Sequence, residues 1–272
     1  MEKLVKGLFA GAVALGGAYV LSTQGRTGHP GLAALQGFQY AHRGLHDGGK
    51  PENSMAAFRA ALENGYGIEL DIHLIKDGNL AVIHDTSLLR TTGRDGKITD
   101  LTTEDLANYH LNGTQETIPT FRQVLELFAG KAPLIIELKC DDNAEALVDA
   151  AVKAMDGYEG AFCMESFDPR CIHWLKKNRP DIIRGQLAEN YFAGTKAKIP
   201  AYLKLVLANH MLNFITKPDF IAYRYSDRNL WTTKLCRSLW NPECVSWTLK
   251  TQEEYDSAVK EGWLPIFEDF TP

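Results

Sequence analysis

From Phe38 to the carboxyl terminus, short apolar runs alternate with amphipathic stretches, and this rhythm restricts the chain more than any other feature. FQYA, GIELDI, LAVIH, LIIEL, AFCMESF, IIRGQL, DFIAYRY, CVSWTL and LPIFED are the strand candidates. Between many of them lie segments with helical spacing: SMAAFRAALENG, FRQVLELFAG, NAEALVDAAVKAM, DPRCIHWLKKN, IPAYLKLVLANHM and QEEYDSAVKEG. The first of these opens with Asn53 or Ser54 as a cap and closes on Gly65. Strands that alternate with helices form a parallel sheet with helical crossovers. The persistence of the pattern predicts a closed (β/α)8 TIM barrel, an α/β fold, rather than an open doubly wound sheet. Nine strand candidates are one too many for that ring. GIELDI and LAVIH are separated only by LIKDGN, too short for a helix, so one of them is a hairpin arm or an irregular step.

The segment from Thr86 to Pro119 interrupts the rhythm with Gly, Asp and Thr turn chemistry and reads as a small insertion, 86–119. A chain of 272 residues with 45% hydrophobic content has material for one large core, and a barrel of this kind uses about 250 residues. The folded domain is therefore expected over 38–272. Lys and Arg total 29 against 34 Asp and Glu, with no basic run longer than two, which argues against a nucleic-acid partner. Cys140, Cys163, Cys171, Cys236 and Cys244 are odd in number and irregularly spaced, which argues against a disulfide scaffold.

Ahead of the domain, Lys3 and Lys6 precede an uncharged stretch from Gly7 to Gln24. It predicts a single-pass N-terminal membrane anchor over 1–24, retained because no A-x-A-like cleavage site follows. The lysines place the amino terminus in the cytoplasm and the catalytic domain outside it. A buried or amphipathic N-terminal helix is the alternative. Residues 25–37 then read as a linker.

In a parallel barrel, chemistry gathers at the carboxyl ends of the strands. After FQYA come His42 and Arg43; GIELDI holds Glu69 and Asp71; after LAVI come His84 and Asp85; LIIEL holds Glu137 and is followed by Lys139. Residues two apart on a strand share a face, so Glu69 pairs with Asp71 and Glu137 with Lys139. Three converging carboxylates repel one another unless a cation neutralises them, and oxygen-only ligands suit a hard ion, Mg2+ or Ca2+. Two histidines on different strand ends supply a base and an acid near neutral pH. Arg43 and Lys139 point to an anionic group such as phosphate.

The string AHRGLHDGGKPENSMAAFRAALENGYGIELDIHLIKDGNLAVIHD resembles the glycerophosphodiester phosphodiesterase family, whose members carry HRG, PENT, an E-x-D strand and a later HD. LLRTTG, IPTFRQVLELF, IIELK, ESFDP and VSWTLK continue the resemblance in order, from Tyr40 to Glu268. It implies a (β/α)8 barrel with a small insertion after the HD strand. It further implies a divalent metal held by Glu69, Asp71 and Glu137, acid and base roles for His42 and His84, and a phosphate grip by Arg43 and Lys139. His42 is assigned as the base and His84 as the acid, the reverse staying open, and the nucleophile is either the substrate's 2-hydroxyl or water. Glu52 is a supporting group or a cap, Trp247 a pocket wall or a core residue, and Glu165 an additional ligand candidate. Three departures stand out: PENS for PENT, WTLK for WTVN with Lys250 in place of Asn, and FED at 267–269 for the usual ITD.

The expected activity is metal-dependent hydrolysis of glycerophosphodiesters to glycerol 3-phosphate and an alcohol. The competing readings are lysophospholipase D-type cleavage, for which Thr195 to Pro218 would be a lipid-facing lid rather than an ordinary barrel helix, and a catalytically silent binding barrel.

Overall fold

The computed structural model describes residues 2–193 and 199–272, with the backbone alone for 2–10 and Ala12. In chain order the elements are α1 (Glu2–Ser22), β1 (Tyr40–His42), α2 (Met55–Glu63), β2 (Gly67–Leu74), β3 (Leu80–Val82), α3 (Leu89–Thr92), α4 (Phe121–Phe128), β4 (Leu134–Leu138) and α5 (Ala144–Ala154). There follow β5 (Phe162–Ser166), α6 (Pro169–Asn178), β6 (Arg184–Ala188), α7 (Ala201–Ala208), α8 (Asn213–Thr216), β7 (Phe220–Arg224), α9 (Trp231–Trp240), β8 (Glu243–Leu249), α10 (Gln252–Lys260) and β9 (Leu264–Phe267).

Eight of the strands form a closed parallel ring in the order β1, β2, β4, β5, β6, β7, β8, β9, with β9 returning to β1. The surplus strand is β3, a hairpin arm antiparallel to β2, with Ile72 opposite Val82 and Leu74 opposite Leu80. The sequence fits helices by their caps. Ser54 Oγ accepts from Ala57 N–H, Thr120 and Gln123 form a capping box, Asn143 and Asp168 cap α5 and α6, and Thr251 caps α10. α9 is the longest of the body helices that pattern reading passes over, the short α3 and α8 being the others. It starts at Leu230 with no side-chain cap and ends on Asn241 in the left-handed region instead of a glycine.

Alternation along the strands sorts side chains into two cores. Ile68, Leu70, Ile72, Leu134, Ile136 and Leu138 face outward into the helices. Tyr40, Ile135, Cys163, Ile183, Phe220, Val245 and Ile266 fill the amino half of the barrel interior. Two glycines make room there. A Cβ on Gly67 would lie 2.7 Å from the Tyr40 ring, and one on Gly185 would lie 2.1 Å from the Phe220 ring. Residues 25–37, expected as a linker, carry the 3-10 turn Pro30–Leu35; its Leu32 and Leu35 pack onto the same cluster, and Tyr40 Oη donates to the Leu35 carbonyl at 2.6 Å. Residues 83–118 build a satellite core of Ile83, Leu88, Ile98, Leu101, Leu106, Leu111 and Ile118 over the hairpin.

The expectation of a membrane-spanning anchor over 1–24, and with it an extracytoplasmic catalytic domain tethered by that span, is overturned. Among the described residues no helix is long and apolar enough to cross a membrane. The physical reason lies in both composition and packing. Glu2, Lys3 and Lys6 charge the first turns and Gly11, Gly16 and Gly17 dilute the rest. The carboxyl end of α1 is committed to the barrel. The Tyr19 ring lies 6.0 Å from that of Trp231, and Thr23 is buried, accepting from Trp240 Nε1 at 2.9 Å and from Asn213 Nδ2 at 3.1 Å. Of the segment 195–218 considered as a lid, residues 195–198 lie outside the described residues. The remainder forms α7 and α8, with Tyr202, Leu205 and Phe214 exposed.

Candidate active site

The carboxyl half of the barrel interior is charged where the amino half is apolar. Cα registers align Asp71 with Glu137 and Glu137 with Glu165 across β2, β4 and β5, while His42 aligns with Glu69 across β1 and β2. Ligand oxygens of Glu69, Asp71 and Glu137 all lie within 4.8 Å of one another, and all three residues are buried. Glu165, 1% exposed, adds a fourth carboxylate whose Oε2 has no hydrogen-bond partner, and Asp71 Oδ1 has none either.

The turn after β1 sets the rim. Arg43 adopts φ 55° and Gly44 φ 81°. A Cβ on Gly44 would lie 2.9 Å from the Ala57 carbonyl carbon, so the turn is pressed against α2. The left-handed Arg43 costs on the order of 1 kcal/mol but aims its N–H at Glu69 Oε2, 3.2 Å away. Asn53 locks the turn from the other side. Its N–H donates to the Arg43 carbonyl at 2.9 Å, and its Nδ2 donates to Asp71 Oδ2 at 2.8 Å.

Two cations interleave with the carboxylates. Lys139 Nζ sits 2.9 Å from Glu137 Oε1 and 3.4 Å from Asp71 Oδ1. Arg43 Nε is 3.3 Å from Asp71 Oδ2, and its Nη1 donates to Glu52 Oε1 at 2.8 Å. Glu52 also accepts from Arg90, which binds Asp85 in turn. Glu52 thus acts through Arg43 and Arg90, and the cap of α2 is Ser54.

The charge balance is uneven. Burial first, then Asp71 and Glu137, push the Glu69 carboxyl well above the usual carboxylate range. Burial, then Glu137 and Asp71, do the same to Glu165. Burial also opposes ionisation of Asp71, but Lys139, His84 and Arg43 outweigh it and hold that carboxyl well below its ordinary value. Four buried carboxylates in one cluster, two of them (Glu69 and Glu165) kept at high proton affinity and two (Asp71 and Glu165) with an oxygen lacking a hydrogen-bond donor, are short of positive charge. The grouped oxygens of Glu69, Asp71 and Glu137 fit a hard divalent cation.

Both histidines carry a carboxylate on Nδ1. His42 Nδ1 is 2.8 Å from Glu268 Oε1, and His84 Nδ1 is 2.6 Å from Asp85 Oδ1. His42 Nε2 faces the acidic cluster, 3.8 Å from Glu69 Oε2. Burial, only partly offset by Glu268, lowers the His42 pKa. His84 follows β3, and its carbonyl lies 3.1 Å from His73 Nε2, a side chain on β2. Trp247 is half-buried at the end of β8, its ring packed edge-on against Phe167 with centroids 5.5 Å apart.

His42, Arg43, Glu69, Asp71, Glu137 and Lys139 are therefore joined by direct contacts at one mouth, with Trp247 on the β8 side; His84, after β3, contacts Asp85 and His73 and helps to lower the Asp71 pKa. Sequence reading gave no site role to Glu268, His46, Asn53 or Arg90, taking Asn53 as a candidate cap and residues 267–269 only as a departure from the family pattern. Glu268 had a usable signal: it follows the last apolar run, and the rule applied to the first four strand ends selects it as well.

A family model described as the glycerophosphoryl diester phosphodiesterase family matches residues 42–271. The chain belongs to this family. Among glycerophosphodiester phosphodiesterases, one from Bacillus altitudinis is 43% identical over 111 residues, covering 38% of this chain and 45% of the relative, so the match spans less than half of that protein's length. Glycerophosphodiester phosphodiesterase 1 of Rattus norvegicus is 28% identical over 272 residues, covering 85% of this chain and 79% of the relative. The fold is shared with an Oleispira antarctica phosphodiesterase solved in complex with the product sn-glycerol-3-phosphate, at TM-score 0.70 and 22% identity, covering 89% of this chain and 95% of that one.

Proposed function

We propose that the chain hydrolyses glycerophosphodiesters to glycerol 3-phosphate and an alcohol, with 38–272 as the catalytic unit and 86–119 as an insertion in it. The observation that carries this reading is the close grouping of three buried carboxylates, two cations and a carboxylate-backed histidine at one end of the barrel, joined to family membership. Glu69, Asp71 and Glu137 would hold one Mg2+ or Ca2+. When bound, that ion supplies positive charge against a phosphodiester oxygen. Arg43 and Lys139 bind the phosphate and stabilise charge developing on its oxygens. His42 takes a proton from the nucleophile and His84 donates one to the leaving alcohol oxygen; a water nucleophile gives glycerol 3-phosphate directly, whereas the substrate 2-hydroxyl gives a cyclic phosphate that a water then opens to the same product. Trp247 and Phe167 form the apolar wall beside them.

Turnover of glycerophosphocholine, glycerophosphoethanolamine and lysophosphatidylcholine, with EDTA and with Mg2+ or Ca2+ restored, tests the reading. EDTA-sensitive cleavage of the two water-soluble diesters is the expected result. His42→Ala and His84→Ala are each expected to lose roughly 10²–10⁴-fold in rate while keeping metal affinity. Activity confined to the lysolipid would replace the substrate class, and inactivity on all three with either metal would leave a silent binding barrel.

A further inference from the structure

Glu268 sits at the end of β9, where the family's usual ITD reads FED, and it is held from three sides. Its Oε1 lies 2.8 Å from His42 Nδ1 and 3.3 Å from His46 Nε2. Its Oε2 lies 2.6 Å from Lys250 Nζ, which also reaches Asp269 Oδ2 at 2.6 Å. Of its three partners, His42 and His46 belong to the HRGLHD string and Lys250 to WTLK, where the chain departs from the WTVN pattern. An ionised carboxylate only accepts hydrogen bonds, so the shared proton belongs to His42 Nδ1. Nε2 then carries the lone pair, and Nε2 is the nitrogen that faces Glu69 and the acidic cluster. Without that partner the neutral ring would choose either nitrogen for its proton, and one of the two tautomers has no base at the working end.

We infer that Glu268 is a positioning residue that fixes His42 in the Nδ1–H tautomer, and that His46 and Lys250 hold Glu268 in place for that purpose. The inference rests on the reading of His42 as the general base. It gives the two histidines matched supports of different origin: Asp85 is the sequence neighbour of His84, whereas Glu268 reaches His42 from the opposite end of the chain across the β9–β1 seam that closes the barrel.

The test uses the full chain with Mg2+, reading kcat and KM on glycerophosphocholine together with the ring-nitrogen NMR shifts of His42. Wild type is expected to show the Nδ1–H tautomer. Glu268→Ala is expected to lose roughly 10²-fold in kcat with KM nearly unchanged, and to show a tautomer mixture. Glu268→Gln, which keeps size and an acceptor oxygen, is expected to recover part of the loss, so that a folding defect in the alanine variant is not mistaken for chemistry. His46→Ala is expected to give a smaller loss of the same sign. Wild-type kcat in Glu268→Ala, a loss confined to KM, or an unchanged His42 tautomer would overturn the inference. So would stoichiometric Zn2+ binding that disappears on mutation of His42, His46 or Glu268, because Nδ1 would then be a metal ligand. If wild type cleaves no glycerophosphodiester, the functional reading fails, and the nitrogen shifts alone decide whether Glu268 sets the tautomer.

Discussion

The two halves of the barrel interior are built by the same strands and differ by a step of two residues. On β4 the inward positions run from Ile135 to Glu137, on β5 from Cys163 to Glu165, and on β1 from Tyr40 to His42. One step, about 7 Å along a strand, separates a close-packed apolar plug from a set of mutually repelling carboxylates. The apolar half can accept strained charge above it because it excludes water and fixes strand register. The charged half contributes nothing comparable to stability and is free to be shaped by chemistry.

That contrast can be broken from either side. The largest effect is expected from Glu69→Gln, Asp71→Asn or Glu137→Gln. Each should cost activity by roughly 10³-fold, the equivalent of several kcal/mol of lost charge stabilisation. In the metal-free protein, thermal unfolding of Glu69→Gln should come no earlier than in wild type, since burial and the acidic neighbours already favour the uncharged carboxyl that the amide replaces. Phe220→Ala attacks the plug instead. It should lower unfolding free energy by about 3–5 kcal/mol, measured by urea denaturation, while the surviving folded fraction keeps its kcat.

His210 sharpens the comparison, being a buried histidine without a carboxylate. Its Nε2 lies 3.1 Å from Thr233 Oγ1, and burial holds its pKa down at about 4, against 6.5 for a free histidine. Its contribution to stability is present in full above pH 6.5 and is lost as pH falls towards about 4, up to about 3 kcal/mol over that window. Unfolding free energy measured between pH 7 and pH 4 should fall less in His210→Gln than in wild type. Least of all, Gly185→Ala should cost about 1–3 kcal/mol, because its Cβ would meet the Phe220 ring and something must shift.

Much of this was legible in the sequence, for reasons particular elements make plain. The ring strands announce themselves as apolar runs, and α2, α4, α5, α6 and α10 each carry a Ser, Thr, Asn or Asp cap. Spacing put Glu69 with Asp71 and Glu137 with Lys139. What pattern could not supply was partnership across long sequence distances. Glu268 meets His42 only because the ring closes, and Asn53 with Asp71, and Thr23 with Trp240 and Asn213, meet only through tertiary packing. The amino-terminal helix misled for the same reason: an uncharged stretch looks alike whether its end meets lipid or the outer wall of a barrel.

The hairpin arm β3 leaves the two histidines mounted on unequal supports. His42 ends a strand that is clamped by a neighbour on each side, so its place is set by the geometry of the whole ring. His84 follows an arm that pairs with β2 on one side and makes a single bridge, Ala81 to Thr120, on the other, next to a segment with its own small core. Length changes in 86–119 can therefore alter the clearance around one histidine without re-registering a single ring strand. On the proposed assignment of His84 to the leaving alcohol, the size of the leaving group is a property that can drift on one side of the site while the other stays fixed.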